Sequence, residues 1–320
     1  MAMRTKIAAS IAFVLTGFVF LNVLAQGIIS CTSGSRLIRW RAVADTIDKS
    51  RREIPGTVVV LGDSVANQLF PSRATANSLT INGAVLNCGQ YILAYNVLTR
   101  NPQLKTMVLI LTPDSVVLGF DRRHTYSSFL KPFYTPANVK HFSKLVWSKM
   151  DARPLSYLAI LPLVKVARCF SDVRFPAGKK GDGLFSDISL EYLHKIEALA
   201  EAHHVRLIIL PPPLRARFKD RVRNRFRPEV DRNGLNALFK PYFERLFFID
   251  DEHFKDRAHL QRNYVRRHRL ELRKRILPAS IWAEFDRSAR SGAKKKVKPA
   301  LPPGDPKAKA EKNKIDPRGR

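Results

Sequence analysis

The segment from Thr57 to Pro71 constrains the fold of this chain more than any other stretch; it reads Thr-Val-Val-Val-Leu-Gly-Asp-Ser-Val-Ala-Asn-Gln-Leu-Phe-Pro. Thr57 to Leu61 is a continuous β-branched and aliphatic run, which is typical of a central strand buried on both faces. Gly62 permits a sharp turn at the end of that strand, and the apolar residues that follow Ser64 recur at helical spacing. A buried strand that leads directly into a helix indicates an α/β protein.

Ser64 lies at this predicted strand-to-helix turn and has two interpretations. A serine at a helix N-terminus lies beside free backbone N–H groups and the positive end of the helix dipole. An acyl-transfer enzyme needs such surroundings for its nucleophile, because the tetrahedral intermediate carries an oxyanion. Alternatively, Ser64 is only an N-cap, or Gly62-Asp63 is only a tight turn. From this segment alone the two interpretations have about equal weight.

The charge of the chain indicates polyanionic surroundings. Its 320 residues carry 56 Lys and Arg against 27 acidic residues, a net charge of +29, and 45% of the residues are hydrophobic. The length allows one large domain or two small ones, and the charge favours nucleic acid, anionic lipid or acidic glycan as a partner. The three cysteines, Cys31, Cys88 and Cys169, are odd in number and far apart, so they form neither a disulfide framework nor a zinc pattern.

Residues 1–34 are predicted to be a targeting or anchoring segment rather than part of the fold. Two basic residues precede an apolar run from Ile7 to Ile29, and about 20 such residues can span a bilayer. Three interpretations stay open: a signal peptide cleaved after Ala25, a lipobox that ends at Cys31, or an uncleaved transmembrane anchor. The length of the run favours the anchor.

Five predicted strands alternate with helices in the domain expected over residues 35–286. They are Thr57–Leu61, Ala84–Leu86, Lys105–Thr112, Val205–Leu210 and Leu246–Ile249. This alternation predicts a three-layer α/β/α domain with a five-stranded parallel sheet, and a long insertion interrupts it at residues 113–204. Sites in such sheets lie at the carboxyl ends of the strands.

The segment after the fifth predicted strand offers a general base for Ser64. Residues 250–260 read Asp-Asp-Glu-His-Phe-Lys-Asp-Arg-Ala-His-Leu and contain two Asp-x-x-His pairs, Asp250 with His253 and Asp256 with His259. In a serine hydrolase the aspartate orients the imidazole, and the imidazole takes the serine proton. Each pair alone is unspecific, so the residue types do not decide which histidine acts.

Gly62-Asp63-Ser64 resembles the first sequence block of the SGNH hydrolases, also called GDSL-type esterases, in which this serine is the nucleophile. The family frame His-Phe-x-Asp-x-x-His-Leu, which carries its base, matches residues 253–260 at each fixed position. The resemblance covers residues 57–275 as scattered blocks. It implies the flavodoxin-like SGNH-hydrolase fold, with Ser64 as nucleophile, His259 as base, Asp256 as orienting acid and His253 in support.

The resemblance also implies an oxyanion hole made by the N–H groups of Ser64 and Gly89. Asp63 and Asn87 adjoin these two residues and are candidate supporting residues. Many SGNH enzymes carry Gly-x-Asn-Asp after the third strand, where the asparagine supplies a further donor, but this chain has Thr112-Pro-Asp-Ser115 there. Such a departure fits the more divergent branches of the superfamily.

Two basic segments follow the fourth predicted strand. Basic residues alternate with others between Arg215 and Arg227, while Phe218, Val222 and Phe226 fall at i, i+4 and i+8, which predicts an amphipathic helix. Its basic face is either solvated or binds an anionic membrane surface or an acidic glycan. Residues 287–320 carry 12 basic and 3 acidic residues and are predicted to be a disordered tail with the same choice of partners.

The resemblance implies a membrane-anchored acyl esterase, if water accepts the acyl group, or an O-acyltransferase, if a sugar hydroxyl does. Anchored SGNH proteins of bacteria often serve the acetylation of exported polysaccharides beside a membrane-bound acyl-donor protein. We therefore expect an acylated carbohydrate or an acyl-donor membrane protein as partner, and a single-pass protein of the inner membrane that faces the periplasm. No cofactor, no metal ion and no specific nucleic acid is expected. The alternative is a non-catalytic SGNH-fold protein that binds glycan or a partner in an envelope complex.

Overall fold

The chain folds as an α/β protein around a parallel sheet, as the sequence predicts. The computed structural model describes residues 2–31, 35–81, 87–117, 131–133, 135–148 and 184–295. The central sheet has the strand order β2-β1-β3-β4, and all its neighbours are parallel. Its strands are β1 Val58–Gly62, β2 Ser78–Thr80, β3 Thr106–Ile110 and β4 Arg206–Leu210. Every residue of β1 and β3 is buried, which confirms the central position predicted from their apolar runs.

Helices cover both faces of the sheet. The longer ones are α1 Ala2–Cys31, α2 Ser35–Ser50, α3 Ser64–Leu69, α4 Asn87–Arg100, α5 Asp187–Ala202, α6 Asn236–Glu244, α7 Arg262–Ile276 and α8 Ala279–Lys295. Val59 and Leu61 pack on one face with α2, α4, α5 and α6, whereas Val58 and Val60 pack on the other with α3, α7 and α8. Because successive strand side chains point to opposite faces, β1 contributes to both cores, and the domain has three layers.

The five-stranded sheet that the sequence predicts is not observed among the described residues, where the central sheet has four strands. The last predicted strand forms β6, Phe248–Ile249, but β6 pairs in parallel with β5, Leu214–Arg215, in a separate two-stranded sheet. Three prolines, residues 211–213, follow β4 directly. Proline lacks the N–H donor that a sheet ladder needs, so the chain leaves the central sheet there and pairs with β6 instead.

The strand that pairs with β1 on the side away from β3 is not one of the predicted strands. Ala84–Leu86 lies outside the described residues, and the strand beside β1 is Ser78–Thr80. Two of its three residues are polar, so no apolar run marks it. Both hydroxyls are buried and donate to the carbonyl oxygen of Phe70, at 2.6 Å from Ser78 and 2.5 Å from Thr80. These bonds satisfy the polar side chains inside the core.

The described part of the chain begins and ends with a helix. Large apolar side chains of α1 from Ile7 to Leu24 are exposed, and Phe13 is 81% exposed. Within the described part of the chain, no helix reaches the length and apolar character that a membrane crossing needs. At the other end α8 continues to Lys295, so the disordered tail does not begin at residue 287 as predicted; residues 296–320 lie outside the described part.

The basic segment between β5 and α6 is helical and amphipathic, as predicted. It consists of a 3-10 turn Ala216–Phe218, an α-turn Lys219–Arg221, a π-helical stretch Val222–Phe226 and an α-turn Arg227–Arg232. Val222 and Phe226 are buried, while Arg223 and Arg225 are exposed. We call residues 216–232 the arginine segment.

Candidate active site

Asp63, not Ser64, caps the helix that follows β1. The carboxylate Oδ1 of Asp63 accepts hydrogen bonds from the backbone N–H groups of Val65 at 2.9 Å and Ala66 at 3.4 Å. Ser64 is the first residue of α3, so the interpretation of Ser64 as an N-cap is wrong. The serine hydroxyl is free for other contacts.

Gly62 allows this turn because no side chain fits there. A Cβ atom at Gly62 would overlap the Cβ atom of Ala66 and would lie 3.0 Å from the carbonyl oxygen of Ile110. The first turn of α3 therefore packs directly on the end of β1, next to β3. This close approach brings Ser64 to the carboxyl edge of the sheet, where we expected the site.

Ser64, His259 and Asp256 form a continuous hydrogen-bonded chain. The Nε2 atom of His259 lies 2.8 Å from the Oγ atom of Ser64. The Nδ1 atom of the same ring lies 3.0 Å from Oδ1 and 3.1 Å from Oδ2 of Asp256. A proton on Nδ1 bonded to the carboxylate leaves Nε2 as an acceptor for the serine hydroxyl. The structure thus brings together the serine, the histidine and the aspartate that the sequence motifs indicated.

The loop that carries this histidine is held at both of its ends. Phe254 and Leu260 are buried and form an antiparallel bridge, and the N–H of Lys255 donates to the carbonyl oxygen of His259 at 2.8 Å. Asp256 Oδ1 also accepts from the backbone N–H groups of Ala258 at 3.0 Å and His259 at 2.9 Å. The same carboxylate therefore stabilises the loop and orients the imidazole.

These bonds also keep Asp256 ionised. Desolvation raises the pKa of the Asp256 carboxyl, but the hydrogen bonds from the N–H groups of Ala258 and His259 and from the imidazole outweigh it. The pKa of Asp256 therefore lies below its ordinary value of 3.8. A carboxylate that stays charged stabilises the imidazolium that forms when His259 takes a proton.

His253 has a packing role in the same loop. Its ring stacks on Tyr264 of α7 with the centroids 4.3 Å apart and the planes 19° from parallel. Its Nε2 atom lies 3.6 Å from a carboxylate oxygen of Glu252. The ring contacts thus place His253 against α7, and His259 is the histidine that contacts Ser64. Of the two Asp-x-x-His pairs, the structure assembles Asp256 with His259.

Two hydroxyls near the start of α3 bind the other oxygen of Asp63. Ser115 Oγ donates to Asp63 Oδ2 at 2.7 Å, and Thr112 Oγ1 lies 3.4 Å from the same oxygen and 2.7 Å from Ser115 Oγ. Both residues follow β3. Burial raises the pKa of Asp63, although the hydrogen bonds from the Ser115 hydroxyl and from the N–H groups of Val65 and Ala66 lower it in part. Asp63 is therefore a structural carboxyl that links β1, α3 and the loop after β3.

Gln68 makes a contact with Leu260 that no sequence motif indicated. Its Nε2 donates to the carbonyl oxygen of Leu260 at 3.1 Å, and its Oε1 accepts from the N–H of Leu260 at 3.1 Å. Gln68 lies four residues after Ser64, so both project from the same face of α3. One amide side chain thus joins the helix of the nucleophile to the residue that follows His259. The i+4 spacing was the only signal in the sequence.

We expect Gln68→Ala to lower kcat far more than it changes KM. Without the two bonds to Leu260, the loop shifts and the Ser64–His259 distance is no longer fixed. A misplacement of about 1 Å costs on the order of 100-fold in rate. Turnover of an aryl acetate and the thermal midpoint, measured together, check this expectation.

Asn67→Ala is the matched control on the same helix. The Oδ1 atom of Asn67 accepts from Ser72 N–H at 3.2 Å and from the Thr80 hydroxyl at 3.0 Å, away from the histidine loop. The control loses two hydrogen bonds as well and should be destabilised without a matching loss of kcat. Equal losses of kcat in both variants would show that Gln68 acts only through stability.

Asn87 and Gly89 belong to α4, of which Asn87 is the first described residue. Both are buried, and the side-chain amides of Asn87 and Gln90 have no hydrogen-bond partner among the described residues. Residues 82–86, which precede α4, lie outside the described part of the chain, so the role of the Gly89 N–H as an oxyanion donor stays a prediction. Cys88 between Asn87 and Gly89 is fully buried, and burial raises the pKa of its thiol, as expected of a packing residue.

A small cleft lies beside the loop that carries His259, because Arg257 and Ala258 line it. It has a volume of about 30 Å³, and most of its surface is apolar. Its walls include Leu214, Phe218 and Phe254, together with Ala258, which precedes His259, and Thr112, whose hydroxyl lies 3.4 Å from Asp63 Oδ2. A cavity of this size holds only a few non-hydrogen atoms. Among the described residues, no group of three or more His, Cys, Asp and Glu side chains is arranged to hold a metal ion.

Comparison of the chain with protein-family models, with curated proteins and with solved structures finds no match. The assignment of a function therefore rests on the geometry of the site and on the residue types that form it.

Proposed function

We propose that this protein is a serine acyl esterase or O-acyltransferase of the SGNH type. The observation that carries the proposal is the hydrogen-bonded chain from Ser64 through His259 to Asp256. A serine hydroxyl is a weak nucleophile alone, and an adjacent imidazole oriented by a carboxylate is the arrangement that activates it. The sequence motif and the geometry agree on the same three residues.

In the proposed mechanism, Ser64 Oγ attacks the carbonyl carbon of an ester while His259 Nε2 takes the hydroxyl proton. The oxyanion is held by the N–H groups of Ser64 and Gly89. Collapse of the tetrahedral intermediate breaks the bond to the leaving alcohol, which receives the proton from His259. The acyl-serine then transfers its acyl group to water, in an esterase, or to a sugar hydroxyl, in a transferase, with His259 again as base.

The resemblance to SGNH proteins of polysaccharide acetylation favours a short acyl group such as acetyl. The resemblance to SGNH proteins favours a polysaccharide of the cell envelope as the carrier of that group. It also favours attachment to the bacterial inner membrane with the catalytic domain in the periplasm, beside an acyl-donor membrane protein. The exposed apolar side chains of α1 are consistent with such an attachment.

A serine-directed phosphonate tests the proposal directly. The full-length protein should react with one equivalent of an aryl phosphonate, and peptide mapping by mass spectrometry should find the adduct on Ser64. Ser115→Ala is a useful control. It removes another hydroxyl near the site, but one that donates a hydrogen bond to Asp63 and not to His259. Absence of any adduct, with the protein folded, would favour the non-catalytic glycan or partner binder instead.

A further inference from the structure

The cleft beside the loop that carries His259 has an excess of positive charge. Arg215 from β5, Arg221 from the arginine segment and Arg257 from the histidine loop all line it, together with the carboxylate of Asp114. These residues come from separate parts of the sequence, and only the fold brings them together. Three guanidinium groups and one carboxylate leave a surplus of two positive charges in the lining.

Each carboxylate around the cleft is shared by two arginines. Asp114 Oδ1 lies 2.9 Å from Arg257 Nη2 and 3.5 Å from Arg221 Nη2. Asp251 Oδ2, in the same way, lies 2.9 Å from Arg215 Nη2 and 3.3 Å from Arg217 Nε. One carboxylate cannot neutralise two guanidinium groups, but it can fix both in place. The pairs therefore orient the arginines and leave them able to bind another anion.

Aromatic rings hold the same side chains. The guanidinium carbons of Arg217 and Arg257 lie 5.2 Å and 5.5 Å from the ring centroid of Phe218, and that of Arg215 lies 5.5 Å from the centroid of Phe254. Such contacts restrict the rotamers of the arginine before a ligand arrives, so the side chain has less freedom left to lose on binding. The arginines are thus ordered before any ligand arrives, which lowers the cost of binding.

Arg215 is the most buried of these arginines, with a side chain that is 14% exposed. Its Nη1 donates to the carbonyl oxygen of Asp256 at 3.2 Å, so it is attached to the triad loop. Its Nε–H is buried and has no hydrogen-bond partner among the described residues. A guanidinium N–H that is buried without a partner is costly unless a ligand satisfies it.

Asp251 lies outside the lining and is shared by Arg215 and Arg217, so around the cleft four arginines face the two carboxylates of Asp114 and Asp251, and the surplus of two positive charges remains. Asp256 is bound to His259, and Glu252 lies against His253 on the outer side of the loop. Neither of them lines the cleft, and Asp250 does not line it either. Ala258, the residue before His259, also lines the cleft, and Arg215 donates to the carbonyl oxygen of Asp256, so the positive groups lie beside the loop that carries His259.

We propose that this cleft binds an anionic group of the substrate, a carboxylate or a phosphate ester, close to the ester that Ser64 attacks. Planar guanidinium groups match the oxygens of both anions. This inference rests on the proposed function and names its substrate class: an acylated or acceptor sugar that carries a negative charge. A uronate and a sugar phosphate are the two sources of that charge.

The first test compares three acetylated substrates at low and high salt: a neutral hexose, a hexuronate and a hexose phosphate. The wild-type protein should prefer one or both anionic sugars over the neutral one by roughly ten- to hundredfold in kcat/KM. The preference should shrink as salt screens the charges. The anionic sugar with the higher kcat/KM identifies the source of the charge, and equal values for all three sugars would overturn the proposal.

The double variants Arg221→Gln/Arg257→Gln and Arg223→Gln/Arg225→Gln form a matched pair. Both remove two positive charges from the same region, but Arg223 and Arg225 are exposed outside the cleft. The first pair should lose the preference for the anionic sugar, and the second should retain it. Equal losses in both would show a general effect of charge and would contradict a specific site.

A binding measurement separates this inference from the proposed chemistry. Calorimetric titration of Ser64→Ala with hexuronate or hexose phosphate should show binding that the Arg221→Gln/Arg257→Gln changes weaken. If Ser64 never reacts with a phosphonate but the anionic sugar still binds, the catalytic proposal fails and the anion site stands. If Ser64 reacts but no anionic sugar binds or is preferred, the anion site fails alone.

Discussion

Ser64→Ala and His259→Ala are each expected to lower the hydrolysis of an aryl acetate by about 10⁴- to 10⁶-fold, because the triad acts as a unit. Loss of the hydroxyl removes the atom that attacks. Loss of the imidazole removes the base 2.8 Å away that makes the hydroxyl reactive. Phosphonate labelling should be abolished in Ser64→Ala and strongly suppressed in His259→Ala.

His253→Ala is the matched control for the second variant. It removes an imidazole from the same loop, but that ring stacks on Tyr264 and does not contact Ser64. We expect a modest loss of stability and a rate within about tenfold of the wild type, since the triad stays intact. Asp256→Asn should give a large loss, of about 10⁴-fold, because the imidazole loses its orientation and correct tautomer. If His253→Ala were inactive while His259→Ala stayed active, the base would be His253 and its orienting acid Asp250.

Asp63→Ala is expected to have the second largest effect, because it acts on both the fold and the site. The change removes the cap of α3, which is worth about 1 kcal/mol, and leaves the buried hydroxyls of Ser115 and Thr112 without their acceptor, at about 1–3 kcal/mol for a buried group. The free energy of unfolding should fall by about 2–4 kcal/mol, and labelling of Ser64 should slow. Denaturant unfolding and labelling kinetics check the two effects.

Two further variants separate the cap from the chemistry. Ser186→Ala removes another helix cap, that of α5, where Ser186 Oγ accepts from the N–H of Ser189 at 3.1 Å. It should cost stability without slowing the labelling of Ser64. Asp63→Asn keeps an oxygen for the cap and should be milder than Asp63→Ala in both measurements. If Ser186→Ala slowed labelling as much as Asp63→Ala, the effect would be one of stability alone.

Asp63→Asn also tests how Asp63 contributes to the pH dependence of stability. Burial raises the pKa of Asp63 above its ordinary value of 3.8, so the folded state binds more protons than the unfolded state in the interval above that value. Stability therefore falls as the pH rises through this interval. An asparagine does not titrate, so the variant should lack this part of the pH dependence, while the opposite contribution of Asp256, whose pKa is lowered, remains.

Local patterns in the sequence determined the elements that carry the site. The apolar run before Gly62 predicts β1, and the helical spacing after Ser64 predicts α3, because burial and backbone preference are properties of short segments. The runs that became β3 and β4 are of the same kind. The family frame over residues 253–260 selected Asp256 and His259, and the structure assembles these two residues with Ser64.

Polar or short elements escaped the same analysis. β2 has no apolar run, since hydroxyls of Ser78 and Thr80 are buried through bonds to Phe70. The apolar run at Leu246–Ile249 did become the strand β6, but its partner is β5 and not the central sheet. A run of apolar residues shows that a segment is buried, whereas its pairing depends on backbone donors and acceptors elsewhere in the chain.

Only the tertiary structure decided the contacts that make these residues a site. Ser64 and His259 are 195 positions apart, and Gln68 and Leu260 are 192 apart. Asp63 proved to be the cap of α3, and Arg215, Arg221 and Arg257 meet at one cleft. A sequence read in short windows encodes the strand, the turn and the helix, because their causes are local. Which side chains meet across the edge of the sheet follows from the packing of all layers at once, and no short window contains that information.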